Sequence, residues 1–86
     1  MIFKNKKIAI IGGGIVGLAV AYKLSQRQAK VYVFEKESSF GLHQSGRNSG
    51  VLHCGLAYTP GSLKAKLSTR GINEMVDFCQ THNIAH

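Results

Sequence analysis

An α/β fold built on a parallel strand–helix–strand unit is what this 86-residue sequence predicts, and three observations carry it. Two short apolar runs, Lys7–Ile11 and residues 29–34, have the content of buried parallel strands, the second rich in β-branched and aromatic residues. Between them Ile15, Leu18, Ala19 and Tyr22 fall at helical spacing. At the first junction stand Gly12, Gly13 and Gly14. Strand, helix and strand within residues 7–35 imply a crossover and hence parallel strands.

The turn after the first strand reads Gly12-Gly13-Gly14-Ile15-Val16-Gly17, a match to G-x-G-x-x-G at the mouth of a helix. Its glycines meet separate demands. Gly12 permits the tight turn, Gly14 lets a pyrophosphate approach the backbone, and Gly17 lets helix and strand pack closely. The helix mouth offers N–H groups and a partial positive charge to phosphate, which makes all six residues candidates for cofactor binding. Along the helix, Gly17 and Ala21 lie four apart and share a face. The second strand closes at Glu35, 23 residues beyond Gly12, where a carboxylate accepts hydrogen bonds from ribose hydroxyls. That charge repels a 2′-phosphate and disfavours NADP. A P-loop is excluded, because Leu18 and Ala19 stand where Lys and Ser/Thr are required. Gly13 and Gly17 as a membrane dimer motif lack a long apolar span. The prediction is therefore a Rossmann-like βαβ dinucleotide-binding unit of an FAD/NAD(P)-binding fold. The glycines alone leave FAD and NAD both open.

Residues 38–50 change character: serines and glycines dominate, with Phe40 and Leu42 the only apolar residues, as in a loop or linker. Apolar character returns over residues 51–58, and Pro60-Gly61 turns the chain. Ser62 is a plausible N-cap for a helix reaching about His82. Leu63, Leu67, Ile72, Met75, Val76 and Cys79 suit one buried stripe on it, with Gly71 where a neighbour can pack closely. Asn83 can end it in a left-handed turn, and residues 84–86 read as the start of another strand.

The next segment bears on the cofactor through a resemblance. The sequence resembles the FAD-dependent oxidoreductases of the D-amino-acid oxidase/glycine oxidase superfamily. Ala21, Leu24, Val31, Val33 and Glu35 match its extended dinucleotide pattern, and Gln28 departs from it, standing where glycine is usual at the helix end. A left-handed residue other than glycine there costs on the order of 1 kcal/mol. The run from His43 through Gln44-Ser45-Gly46-Arg47-Asn48-Ser49-Gly50-Val51-Leu52 to His53, followed by Gly55, Tyr58 and Pro60-Gly61-Ser62-Leu63-Lys64-Ala65, is similar to the L-2-hydroxyglutarate oxidase/dehydrogenase family. The resemblance spans residues 8–84.

It implies a flavoenzyme that oxidises L-2-hydroxyglutarate to 2-oxoglutarate, passing hydride to flavin N5 and electrons on to a quinone or oxygen. Residues 38–50 are then a loop against the flavin cofactor. Ser45, Asn48 and Ser49 supply small donors, Gly46 and Gly50 admit the cofactor closely, and Arg47 offsets pyrophosphate charge. Lys36, beside Glu35, joins the cofactor set. His53 is the one candidate for an active-site role, a supporting role being the alternative, and Cys54 or a histidine is a candidate covalent flavin anchor. The related readings are another FAD-dependent amino-acid or hydroxy-acid oxidase, or an inactive truncated dinucleotide-binding module. Enzymes of this family are several times longer, so the chain is expected to be an incomplete N-terminal fragment, one partial FAD-binding domain over residues 1–86 without the substrate domain.

Composition narrows the remaining classes. Eleven Lys and Arg face four acids, a net charge of +7, and residues 1–30 hold six bases and no acid. Without an arginine cluster or an aromatic stripe this does not point to nucleic acid. Two cysteines are too few for a disulfide scaffold, so a reducing compartment is the default. Residues 8–22 imitate a signal peptide after Lys4, Lys6 and Lys7, but three glycines would break its apolar helix, and the stretch is shorter than the ~20 residues that span a bilayer. The expected location is cytoplasmic, with peripheral attachment at the inner face of a membrane as the variant for the parent enzyme. His43, His53, Cys54, Cys79 and His82 show no paired zinc spacing, and no metal is expected.

Overall fold

Residues 2–53 and 57–86 are described by the structure, a computed structural model. The chain divides into two compact units, Met1–Ser49 and Gly50–His86.

The first unit is the predicted βαβ. Strand β1 (Lys7–Ile11), helix α1 (Ile15–Gln26) and strand β2 (Lys30–Phe34) follow in order. The strands pair in parallel, with Lys7 opposite Lys30 and Ile11 opposite Phe34. Ile8, Ile10, Val31 and Val33 are part-shielded. Ile10 Cγ2 lies 3.3 Å from where a Cβ of Gly17 would stand, so this face meets α1. The strands have the content of buried parallel strands, yet only one face of the sheet is covered. Ile11 (83% exposed), Tyr32 and Phe34 stand open on the other face, because a single crossover helix covers only one side of the sheet.

Helix α1 ends as its sequence suggests, with a non-glycine residue in the glycine position. Gln28 has φ 64°. The Ala29 N–H reaches the Leu24 carbonyl at 3.2 Å and the Gln28 N–H reaches Ser25 at 3.0 Å, the paired bonds of a Schellman motif. After β2, the loop contains one 3₁₀ turn, Gln44–Gly46.

The second unit centres on helix α2 (Leu63–Thr81). Ser62 caps it as predicted, its hydroxyl accepting from the Ala65 N–H at 3.1 Å. Four of the six residues of the expected stripe are shielded. Ile72, Met75, Val76 and Cys79 are shielded, but Leu63 and Leu67 are 70% and 55% exposed, and Ala65 and Ser68 take their places. Helical phase gives the reason: Leu67 and Ile72 are five residues apart, about 140° round the axis. Nothing among the described residues comes within 4 Å of a Cβ at Gly71, so the close neighbour expected there is not seen. Residues 84–86 form no strand. Asn83 (φ 56°) closes a second Schellman motif instead, with the Ile84 N–H on the Cys79 carbonyl at 2.8 Å.

Candidate functional site

The site forms where β1 and β2 end and α1 begins. The ladder runs one step beyond the strands, the Gly12 N–H bonding the Phe34 carbonyl at 2.8 Å, and Gly12 then turns with φ 103°. That left-handed value is why the first position is glycine. Helix α1 opens with the Leu18 N–H on the Gly14 carbonyl, and Gly14 brings no side-chain cap. By helix geometry the N–H groups of Ile15, Val16 and Gly17 have no intrahelical acceptor. Gly17 sits so close to the turn that a Cβ there would fall on the Gly12 carbonyl oxygen.

Glu35 reaches the turn from the end of β2. Its Oε1 accepts from the Gly13 N–H and its Oε2 from the Glu37 N–H, each at 2.8 Å. These two bonds, the Glu37 one foremost, hold its carboxyl below the usual carboxylate range, helped by nearby His43 and Lys36. Each oxygen keeps a second lone-pair direction, so the carboxylate remains able to accept ribose hydroxyls. From the loop, the Ser45 hydroxyl accepts from the Ile15 N–H at 2.7 Å, capping α1 from thirty residues away. Its own proton stays available for a phosphate oxygen. Gly14, Glu35, Gly41, Leu42, His43, Gln44 and Ser45 line a cleft of about 210 Å³.

Gly12 to Gly17, Glu35 and Ser45 are thus brought together. Lys36 follows Glu35 directly, and Arg47 ends the 3₁₀ turn. Asn48 directs its amide donors onto the carbonyls of Gln44 and Ser45, at 2.8 and 3.1 Å, and so supports the loop. Gly50 and His53 belong to the second unit, and Cys54 lies outside the described residues. Of the residues weighed for metal, His43 pairs with Glu37 at 3.1 Å, His82 stacks on Phe78, and Cys79 is buried. The sequence reading missed Phe40 and Gly41. Phe40 lies on Gly13, and the Gly41 N–H bonds the Gly13 carbonyl at 3.0 Å. A glycine at 41 within a serine-rich stretch was the available signal, and it takes φ 71°.

A glycine turn at a helix mouth, a strand-end carboxylate and a hydroxyl beside the first helical N–H define a dinucleotide-binding βαβ unit. These donors and acceptors fit a ribose and a pyrophosphate. The chain belongs to the DAO family of FAD dependent oxidoreductases, whose pattern it matches over residues 7–86. It is 54% identical over 81 residues to a mitochondrial L-2-hydroxyglutarate dehydrogenase from Nematostella vectensis, covering 92% of this chain and 18% of the relative. An L-2-hydroxyglutarate dehydrogenase from Indibacter alkaliphilus is 54% identical over 80 residues, 91% of this chain and 20% of the relative. The mitochondrial protein of that name from Homo sapiens is 47% identical over 81 residues, with 92% and 18% covered. The chain therefore spans about a fifth of the length of these relatives. Among the described residues no helix is long and apolar enough to cross a membrane.

Proposed function

We propose that this chain supplies the FAD-binding part of an enzyme that oxidises L-2-hydroxyglutarate to 2-oxoglutarate. The observation that carries the cofactor is the convergence of Glu35 and Ser45 on the N-terminus of α1, in a chain of the FAD dependent oxidoreductase family. The N–H groups of Val16 and Gly17 and the Ser45 hydroxyl would hold the pyrophosphate, with Gly12, Gly13, Gly14 and Ile15 shaping its bed. Glu35 would hold the adenosine ribose. Lys36 and Arg47 are the nearby cations, Asn48 supports the turn that carries Ser45, and Ser49 and Gly50 join the cofactor set through the resemblance. When bound, the flavin supplies a two-electron acceptor for the hydrogen at substrate C2. The substrate follows from the names of the relatives, and a quinone or oxygen as final acceptor follows from the resemblance.

The test is direct. The native gene product, purified, is expected to carry a flavin absorbance spectrum and to form 2-oxoglutarate from L-2-hydroxyglutarate with an artificial electron acceptor. A colourless protein that binds NAD refutes the cofactor. Flavin reduction by another hydroxy or amino acid, with none by L-2-hydroxyglutarate, refutes the substrate. The coverage of about a fifth favours a second reading for these 86 residues by themselves. The substrate is a dianion that must be held against the flavin, and such positioning is worth ~7–11 kcal/mol of barrier. The 86 residues alone are accordingly expected to yield no 2-oxoglutarate, and product above a flavin-only control contradicts that.

A further inference from the structure

Beyond Glu35, the loop after β2 touches the glycine turn at three points among the described residues, and two of them are polar: the Gly41 N–H on the Gly13 carbonyl and the Ser45 hydroxyl on the Ile15 N–H. Phe40 is the third. Its ring occupies the volume a side chain at Gly13 would need, since a Cβ there would fall on Cδ1 and stand 2.9 Å from Cε1. Gly13 occupies a variable position of G-x-G-x-x-G, so the motif does not explain why it is glycine. It is buried, and a Cβ there would meet the Phe40 ring first and Glu35 Oε1 next, at 3.3 Å. Beyond Phe40 the loop tightens on itself. A Cβ at Gly46 would meet the Gly41 carbonyl, and Glu37 and His43 close the segment at 3.1 Å.

We propose that Phe40 is a positioning residue, an apolar latch that seats the loop on Gly13 so that Ser45 reaches the N-terminus of α1. The two polar contacts are exposed or only part-shielded, and such bonds exchange readily with water. Phe40 is itself 53% exposed, but the part of its ring that lies on Gly13 makes a van der Waals contact, which has no water-bonded alternative. The latch therefore sets how much of the time Ser45 stands where a phosphate oxygen needs it. Glu35 reaches Gly13 from β2 and does not depend on the latch. The consequence for cofactor affinity rests on the FAD reading above; the seating of the loop does not.

Amide hydrogen exchange on the native gene product stripped of cofactor, paired with FAD titration, tests this. Phe40→Ala is expected to speed exchange at Gly41 and Ile15 about tenfold, while Ala19 to Leu24 in α1 keep their protection. FAD should bind about tenfold more weakly, mainly through faster dissociation. Phe40→Leu should restore most of both, and Gly13→Ala should speed the same two amides by displacing the ring. Unchanged exchange at Gly41 and Ile15 in Phe40→Ala overturns the latch. Loss of protection throughout α1 also overturns it, since the residue would then be holding the fold rather than the loop. Should the unsubstituted protein not bind FAD, the functional reading fails, and the exchange data still decide the latch.

Discussion

Gly17→Ala sets two effects of opposite sign against each other. Alanine is the better helix former by about 0.8–1.0 kcal/mol, and α1 is otherwise regular from Ile15 to Gln26. Against this, the new Cβ falls on the Gly12 carbonyl oxygen, with the carbonyl carbon at 3.2 Å and Ile10 Cγ2 at 3.3 Å. Ordinary carbon–oxygen contacts lie at about 3.3–3.6 Å, so helix and turn must separate. Gly12 cannot step back freely, because its N–H is tied to Phe34 at 2.8 Å and its φ is fixed at 103°. Overpacking of this kind costs typically 1–3 kcal/mol and occasionally more. The clash falls on backbone and therefore sits at the upper end, leaving a net loss of about 1–2 kcal/mol. Urea unfolding followed by circular dichroism measures it, and FAD affinity should drop with it as the helix mouth moves off the turn. A variant as stable as the parent, or more stable, refutes the reasoning, for it would mean that propensity outweighs the close approach.

Three further outcomes follow from named contacts. Glu35 is charged in the fold with its carboxyl held below the usual range, so its contribution is present above that range and is lost as pH falls through the lowered value; the melting-temperature gap between the parent and Glu35→Gln should narrow below about pH 4, and a constant gap refutes this. Gln28→Gly should raise stability by about 0.5–1 kcal/mol, because φ 64° then carries no side-chain penalty, and a lower unfolding midpoint contradicts it. Ser62→Ala should cost about 1 kcal/mol through the lost cap at Ala65, with Ser62→Asp restoring most of it in the same denaturation assay.

The βαβ unit was legible because local and tertiary demands coincide there. Gly12 must turn with positive φ, Gly17 must admit a carbonyl, and Glu35 must close a strand, so each leaves a residue type at a fixed spacing. Asn83 and Ser62 were legible for the same reason, since caps are local. Leu63 and Leu67 misled because their apolar side chains invite burial while their helical phase does not match Ile72 and Cys79, and composition is blind to phase. Residues 84–86 misled because apolar content at a chain end resembles a strand, whereas the Schellman closure at Asn83 fixes Ile84 to Cys79. Phe40 was illegible for a different reason. Its partner is the backbone of Gly13, and a residue that packs on backbone leaves no complementary side chain to be noticed.

The placement of charge separates two ideas that the sequence left joined. Six bases without an acid in residues 1–30 allow an anionic ligand, and the anion site proposed above, at the N-terminus of α1, falls in that stretch, yet the two lie at opposite ends of the unit. Lys7 and Lys30 begin their strands side by side, and Lys23 and Arg27 stand at the C-terminal end of α1, the crossover's return to that same edge. Lys4 and Lys6 join them, since Asn5 bonds Gln28 and Lys6 bonds Lys30. Eight residues separate Lys23 from Ile15 and twelve separate Arg27 from it, roughly 12 and 18 Å at 1.5 Å per residue, while charges are screened beyond about 8 Å at physiological salt. The basic cluster therefore complements the negative end of α1 and contributes little at its positive end. In the proposed function, anion recognition falls chiefly to N–H groups without an intrahelical acceptor, the Ser45 hydroxyl and the dipole of the helix, all of which are geometric, with Lys36 and Arg47 as the cations beside them. This is why the integrity of the site turns on glycines and on the seating of one loop more than on the net charge of the chain.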